Sequence, residues 1–180
     1  MLELSLNILD LTQNSLTAGA TLIVLSIRED ESFLTIKIQD DGCGMTENFL
    51  KRATDPFTTT RTTRKVGFGL PFVHQLCEQT GGELIIESTF GEGTTLCATL
   101  GLHHIDRPPL GDIVGTMLTL IISGVEVNYV FSYTTAQGEY ELDTREVREA
   151  LDGMPLSDPD VIAWLIENLR EGIAELLPIA

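Results

Sequence analysis

The fold class the sequence predicts is an α/β (α+β) two-layer sandwich: a mixed, mainly antiparallel sheet with helices on one face, followed by a small α+β extension. Three observations point there. Residues 2 to about 17 carry leucines on one helical face. Two pairs of alternating runs, 21–28 with 33–39 and 83–89 with 94–102, are joined by the short turns Arg28–Ser32 and Phe90–Gly93, so each pair reads as a hairpin of antiparallel neighbours. A second helix, opening at Gly69, lies between the pairs. Helices with one apolar face need a sheet face to cover.

In chain order, Leu2, Leu6, Leu9 and Leu16 mark the first helix, with Ile8 and Leu11 broadening its face and Gly19 as a plausible stop. Leu34, Ile36 and Ile38 alternate with polar residues up to Gln39, where Asp40-Asp41-Gly42-Cys43-Gly44 ends the strand. Thr46 can cap a short helix reaching about Ala53. Residues 54–67 have no periodicity and are rich in Thr and basic residues, the marks of a long polar loop. The helix from Gly69 takes Pro71 in its first turn and stops at Gly81-Gly82. Beyond Pro108-Pro109, Asp112 can cap a helix from Ile113 to about Ile122, with a strand over 117–123 as the alternative. Val125, Val127, Tyr129, Phe131 and Tyr133 alternate as a strand, Gln137-Gly138 turns it back into 139–143, and residues 144–151 and 159–177 read as helices. Two units result: 1–104, and an extension over 110–180 of unassigned role. The extension either encloses a second hydrophobic core, the simpler expectation, or packs on the first unit in place of a missing N-terminal layer.

A length of 180 residues and a hydrophobic fraction of 43% suit an ordinary domain with an appendage. The formal charge of −16 argues against nucleic acid or an anionic membrane as the main partner. The N-terminus lacks a basic start and a small-residue cleavage site, and the apolar run around Met117–Ile122 is too short to span a membrane, so a cytoplasmic protein is expected. Cys43, Cys77 and Cys97 are far apart, which fits small packing thiols better than a metal or disulfide framework. Lys51, Arg52, Arg61, Arg64 and Lys65 form a basic island in an acidic chain, either a solvated loop or a place where an anion is met.

Taken alone, Asp40-x-Gly42-x-Gly44 is either an Asp-Gly turn or a rigidly held acid beside a backbone open to a flat ligand. Its neighbours decide. In order stand Asp10 through Ala20 with Asn14 at its middle, the Asp40 loop, Asp55-Pro-Phe-Thr-Thr-Thr60, Gly67-x-Gly69-Leu70, and Gly91-x-Gly93-Thr94. Over residues 1–104 this series resembles the N, G1, F, G2 and G3 boxes of the Bergerat-fold (GHKL) ATP-binding superfamily, whose members include gyrase, heat-shock chaperone ATPases, histidine kinases and mismatch-repair ATPases. DPFTTTR, GFGLPFV and GEGTTLCATL look most like histidine-kinase catalytic domains, and NSLTAGAT more like the mismatch-repair enzymes.

The resemblance implies ATP and Mg²⁺ as cofactors. Asp40 matches the aspartate that accepts the adenine amino group's hydrogen bond; a guanine carbonyl there would oppose acceptor to acceptor. Gly42 and Gly44 would let the backbone approach the base, and Thr94 would reach the same base edge. Asn14 matches the asparagine whose oxygen ligates Mg²⁺; its plainer alternative is a cap or a helix–loop hydrogen bond. Asp10, one turn earlier, stands where hydrolysing members carry a glutamate base, so it is the catalytic candidate, with a supporting role near the metal as the alternative. Gly67, Gly69 and Leu70 would open a helix whose backbone N–H groups cradle phosphate. The segment 45–66 would be an ATP lid carrying Arg61, Arg64 and Lys65 toward the γ-phosphate.

Two departures shape the functional expectation. The strand and helix that usually precede the asparagine helix are expected to be absent or supplied elsewhere, and no upstream dimerisation helix pair bearing a phosphoacceptor histidine is read in this sequence. None of His74, His103 and His104 is followed by the acid typical of such a site. The expectation is a Mg-ATP-binding, histidine-kinase-like domain that phosphorylates or regulates a partner protein, with homodimerisation left open. The alternatives are a nucleotide-gated binding module with little turnover and an ATPase resembling the mismatch-repair enzymes.

Overall fold

The computed structural model describes residues 3–53, 69–124 and 126–176. Helix α1 (Leu4–Thr17) leads into the hairpin β1 (Leu22–Glu29) and β2 (Phe33–Asp40); then follow α2 (Glu47–Leu50), α3 (Gly69–Gln79), β3 (Leu84–Thr89), β4 (Gly93–Gly101), α4 (Ile113–Ser123), β5 (Asn128–Thr135), β6 (Gly138–Asp143), α5 (Thr144–Ala150) and α6 (Pro159–Ala174). The helix expected near Thr46 is one turn long, with the Thr46 hydroxyl accepting from the Phe49 amide. Residues 117–123 are helix, not strand; Asp112 caps them by accepting from the Gly115 amide.

The strands form one six-stranded sheet in the order β3-β4-β2-β1-β5-β6. All pairings are antiparallel except β1 with β5, which is parallel, so the sheet is mixed and mainly antiparallel. One face is core. Leu25 and Ile27 of β1 sit opposite Ile38 and Ile36 of β2, and Ile23, Leu25 and Ile27 sit opposite Tyr129, Phe131 and Tyr133 of β5, all buried. The alternation that made these strands visible is the period of a half-buried sheet.

Helices α3, α1, α4 and α6 lie side by side over that face, α3 above β3 and β4 and α6 above β6. Of the two arrangements open to residues after 110, packing on the first unit is the one observed. Strand β5 hydrogen-bonds to β1 along Leu22–Arg28, and Met117, Leu120, Leu165 and Leu169 join Leu4, Ile8 and Leu25 in one core. There is no second hydrophobic cluster among the described residues. The chain between the units also serves α1: the amides of Leu4 and Ser5, which have no partner within their own helix, donate to the carbonyls of Pro109 and Leu110 at 3.0 and 2.8 Å. No helix among the described residues is long and apolar enough to cross a membrane.

Candidate functional site

The core-facing positions of β2 are Leu34, Ile36 and Ile38, and the next in phase is Asp40, at the strand's last residue. Its parity turns a carboxylate toward the helix layer where the core opens. Across the β2–β4 ladder its register partner is Thr94, and across β3–β4 the partner of Thr94 is Ser88. Register partners point to the same face of a sheet, so Ser88, Thr94 and Asp40 form a polar row.

Each member of the row is held. Ser15, buried in α1, donates its hydroxyl to Asp40 Oδ2 at 2.6 Å, and the Gly42 amide donates to Asp40 Oδ1 at 3.0 Å. Ser88 Oγ accepts from the Met45 amide at 2.8 Å, lies 2.9 Å from the Gly93 carbonyl and shares a 2.9 Å hydrogen bond with Thr94 Oγ1. Thus the β3–β4 end, the threonine and the first residue after the glycine loop are tied through one serine. Asp41 points elsewhere. It accepts from the Thr21 amide and hydroxyl and from the Leu22 amide, clamping the start of β1. Partial burial pulls the Asp41 carboxyl upward, but the Thr21 and Leu22 hydrogen bonds outweigh it and hold the group below the usual carboxylate range.

The loop glycines are packed against the protein's own chain. Gly42 precedes Cys43, whose amide donates to Ala18 O at 2.9 Å, so the loop rests on the end of α1. Gly44 adopts φ +62°, and a Cβ there would run into the Thr89 carbonyl, so both conformation and space require glycine. Gly69 opens α3 from a buried position, and a Cβ on it would collide with the Asp10 carboxylate. The glycine therefore brings that carboxylate against the start of a helix. Leu70, next in the chain, is half-buried against the core. Asn14 is exposed on α1, one turn beyond Asp10.

The structure therefore gathers Asp10, Asn14, Asp40, Gly42, Gly44, Gly69, Leu70 and Thr94 around the end of α1, the ends of β2 and β4, and the start of α3. Arg61, Arg64, Lys65 and Gly67, with the Asp55–Thr60 stretch, lie outside the described residues. Among the described residues no three His, Cys, Asp or Glu side chains gather into a protein-only metal cage. Asp10 and Asn14 supply two oxygen-bearing side chains on one side of α1, a donor set suited to a Mg²⁺ ion that takes its other ligands from phosphate and water.

Sequence reasoning missed Ser15 and Ser88, although each carries a signal. Ser15 continues the buried series Leu4, Ile8, Leu11 at helical spacing, and Ser88 follows Leu84 and Ile86 at strand spacing. A hydroxyl in an apolar phase needs a partner. Outside the site, Cys77 is buried, which pushes its thiol up to about 11, and all three cysteines are free.

Comparison with known proteins agrees with this geometry. The family described as histidine kinase-, DNA gyrase B- and HSP90-like ATPase matches residues 1–104. Sporulation kinase E of Bacillus subtilis (strain 168) is 35% identical over 102 residues, which cover 57% of this chain and 14% of that protein. Sensor kinase CckA of Brucella abortus (strain 2308) is 31% identical over 165 residues, covering 79% of this chain and 18% of that protein. The chain thus spans under a fifth of the length of either relative. Among solved structures, the N-terminal domain of a DNA repair protein superposes with a TM-score of 0.58 at 14% identity, covering 79% of this chain and 52% of that one, a likeness of fold. With the box residues gathered at one end of such a sheet and residues 1–104 matched throughout, the chain belongs to the histidine kinase-, DNA gyrase B- and HSP90-like ATPase family.

Proposed function

We propose that the chain binds Mg-ATP at the Asp40 end of the sheet and uses it, in the cytoplasm, to phosphorylate or regulate a partner protein. The observation that carries this reading is the Asp40 carboxylate, in register with Thr94 at the open end of the central strands and fixed by Ser15 and Gly42. A carboxylate accepts but cannot donate, so it suits the adenine amino group and repels a carbonyl. Thr94 and the Gly42–Gly44 backbone would flank the base. Asn14 would ligate Mg²⁺, with Asp10 beside it, and Gly69 and Leu70 would present the N-terminus of α3 to the phosphates. Arg61, Arg64, Lys65 and Gly67 are proposed for the lid and its γ-phosphate contacts. When bound, Mg²⁺ would neutralise phosphate charge at the transferred group.

Support for the kinase direction comes from relatives named as kinases. His74 lies 3.8 Å from Glu78 and His104 Nδ1 accepts from the Asp106 amide at 3.2 Å, and neither histidine is followed by the acid typical of a phosphoacceptor site. The ATPase alternative has one observation of its own, the Asp10 carboxylate against Gly69 at the phosphate end of the site. The test is incubation with γ-labelled Mg-ATP, alone and with candidate partner proteins. Label on a partner is the expected result. Free phosphate supports the ATPase, bound and unchanged ATP supports a nucleotide-gated module, and no ATP binding overturns the reading altogether.

A further inference from the structure

Asp40 can read a base only if its carboxylate faces one way. The terminal torsion of an aspartate is broad and roughly two-fold, so the side chain does not orient itself. Hydrogen bonds must do it, and each oxygen has one from the protein: Oδ1 from the Gly42 amide at 3.0 Å and Oδ2 from the Ser15 hydroxyl at 2.6 Å. The Gly42 bond is local, two residues along the chain. The Ser15 bond crosses from the helix layer to the sheet and is the link that registers α1 against the end of β2. Ser15 is 4% exposed and occupies a phase of α1 otherwise filled by Leu4, Ile8 and Leu11. A hydroxyl there is costly unless paired, and Asp40 is its partner.

We propose that Ser15 is the positioning residue for purine selectivity: by holding Asp40 Oδ2 it leaves the free lone pairs of the carboxylate aimed at the amino group of the bound base. The proposal rests on the reading of Asp40 as the adenine acceptor. Ser15 does not touch the nucleotide; it acts through Asp40, and its contribution exists only when the base has an amino group to donate.

That dependence gives the test. Binding of Mg-ATP and of Mg-purine riboside triphosphate, which lacks the 6-amino group, is measured by calorimetry on the full chain and on Ser15→Ala, Ser15→Thr and Asp40→Asn. Ser15→Ala is expected to weaken ATP about ten- to hundredfold, the range for losing a hydrogen bond to a charged group, while changing purine riboside triphosphate less than about twofold. Ser15→Thr keeps the hydroxyl and is expected to restore most of the preference for ATP. Equal losses for both nucleotides would mean that Ser15 supports only the fold and would overturn the proposal, as would unchanged ATP binding in Ser15→Ala. Thermal melts identify a variant that does not fold, and the Ser15→Thr comparison then decides: loss of ATP preference with the hydroxyl retained overturns the proposal. If Asp40→Asn leaves ATP affinity unaltered, the adenine reading itself fails, an outcome separate from failure of the Ser15 arm with Asp40 still essential.

Discussion

A single register row crosses the sheet from Ser88 through Thr94, Asp40 and Ile23 to Tyr129. Its two ends are built for opposite purposes. On the β3–β4–β2 side the row is polar, and its groups are tied to loops and to α1. On the β1–β5 side the same level is sealed. Ile23 is fully buried, and the Tyr129 ring is buried with its hydroxyl donating to the Leu120 carbonyl of α4 at 3.0 Å. Desolvation pushes that phenol up to about 12, as expected of a group meant to stay neutral. One side of the row stabilises the sheet by excluding water; the other gives up that stabilisation to present hydrogen-bonding groups. The strands contributed after residue 110 complete the closed side, so the open side can remain polar without unravelling β1.

The contrast can be broken from either end. The largest effect is expected on the closed side. Phe131 is fully buried at the centre of β5, and Phe131→Ala should lower stability by about 3–5 kcal/mol in chemical denaturation. Nucleotide affinity of the fraction that remains folded should hardly change. On the open side the pattern reverses. Asp40→Asn should weaken Mg-ATP about a hundredfold by calorimetry, because an amide can present a donor where the base presents one, while the melting temperature stays close to that of the parent.

Thr94→Val should have a smaller effect, about three- to tenfold on ATP affinity, since it removes one hydroxyl from the row and one partner of Ser88 while preserving shape. The smallest effect concerns acid. Asp41 is held below the usual carboxylate range in the folded state, so its hydrogen bonds stabilise the protein above that range and are lost as pH falls through the folded value. Stability should drop on acidification below the ordinary carboxylate range, and Asp41→Asn should drop less steeply there, read as the slope of unfolding free energy against pH.

What could be read from the chain alone follows the same division. Strands with one buried face announce themselves by alternation, so β1, β2, β4 and β5 were visible, and Asp40 stood out as an acid where that alternation ends. Thr94 was set beside Asp40 only by the family resemblance, because the β2–β4 pairing joins two different hairpins and neither turn fixes it. Pairing of β1 with β5 could not be read, because alternation says that a strand has an inner face and not which strand lies beside it; Leu22 and Asn128 meet across most of the sequence. For the same reason the tail was expected to enclose its own core, when it enlarges the first. Ser15 and Ser88 escaped notice because serine is common and carries no site pattern. Only their phase marks them, Ser15 in line with the buried Leu4, Ile8 and Leu11 and Ser88 with the half-buried Leu84 and Ile86.

The most direct test of the central claim, that the polar end of the row is an adenine site, is an amide chemical-shift titration of the full chain with Mg-ATP. The account predicts saturable shifts concentrated at Gly42, Gly44, Gly93 and Thr94 and around Asn14 and Gly69, with Phe131 and Tyr133 nearly still, and loss of the loop shifts in Asp40→Asn. Saturable shifts centred elsewhere, or none at millimolar nucleotide, would contradict it.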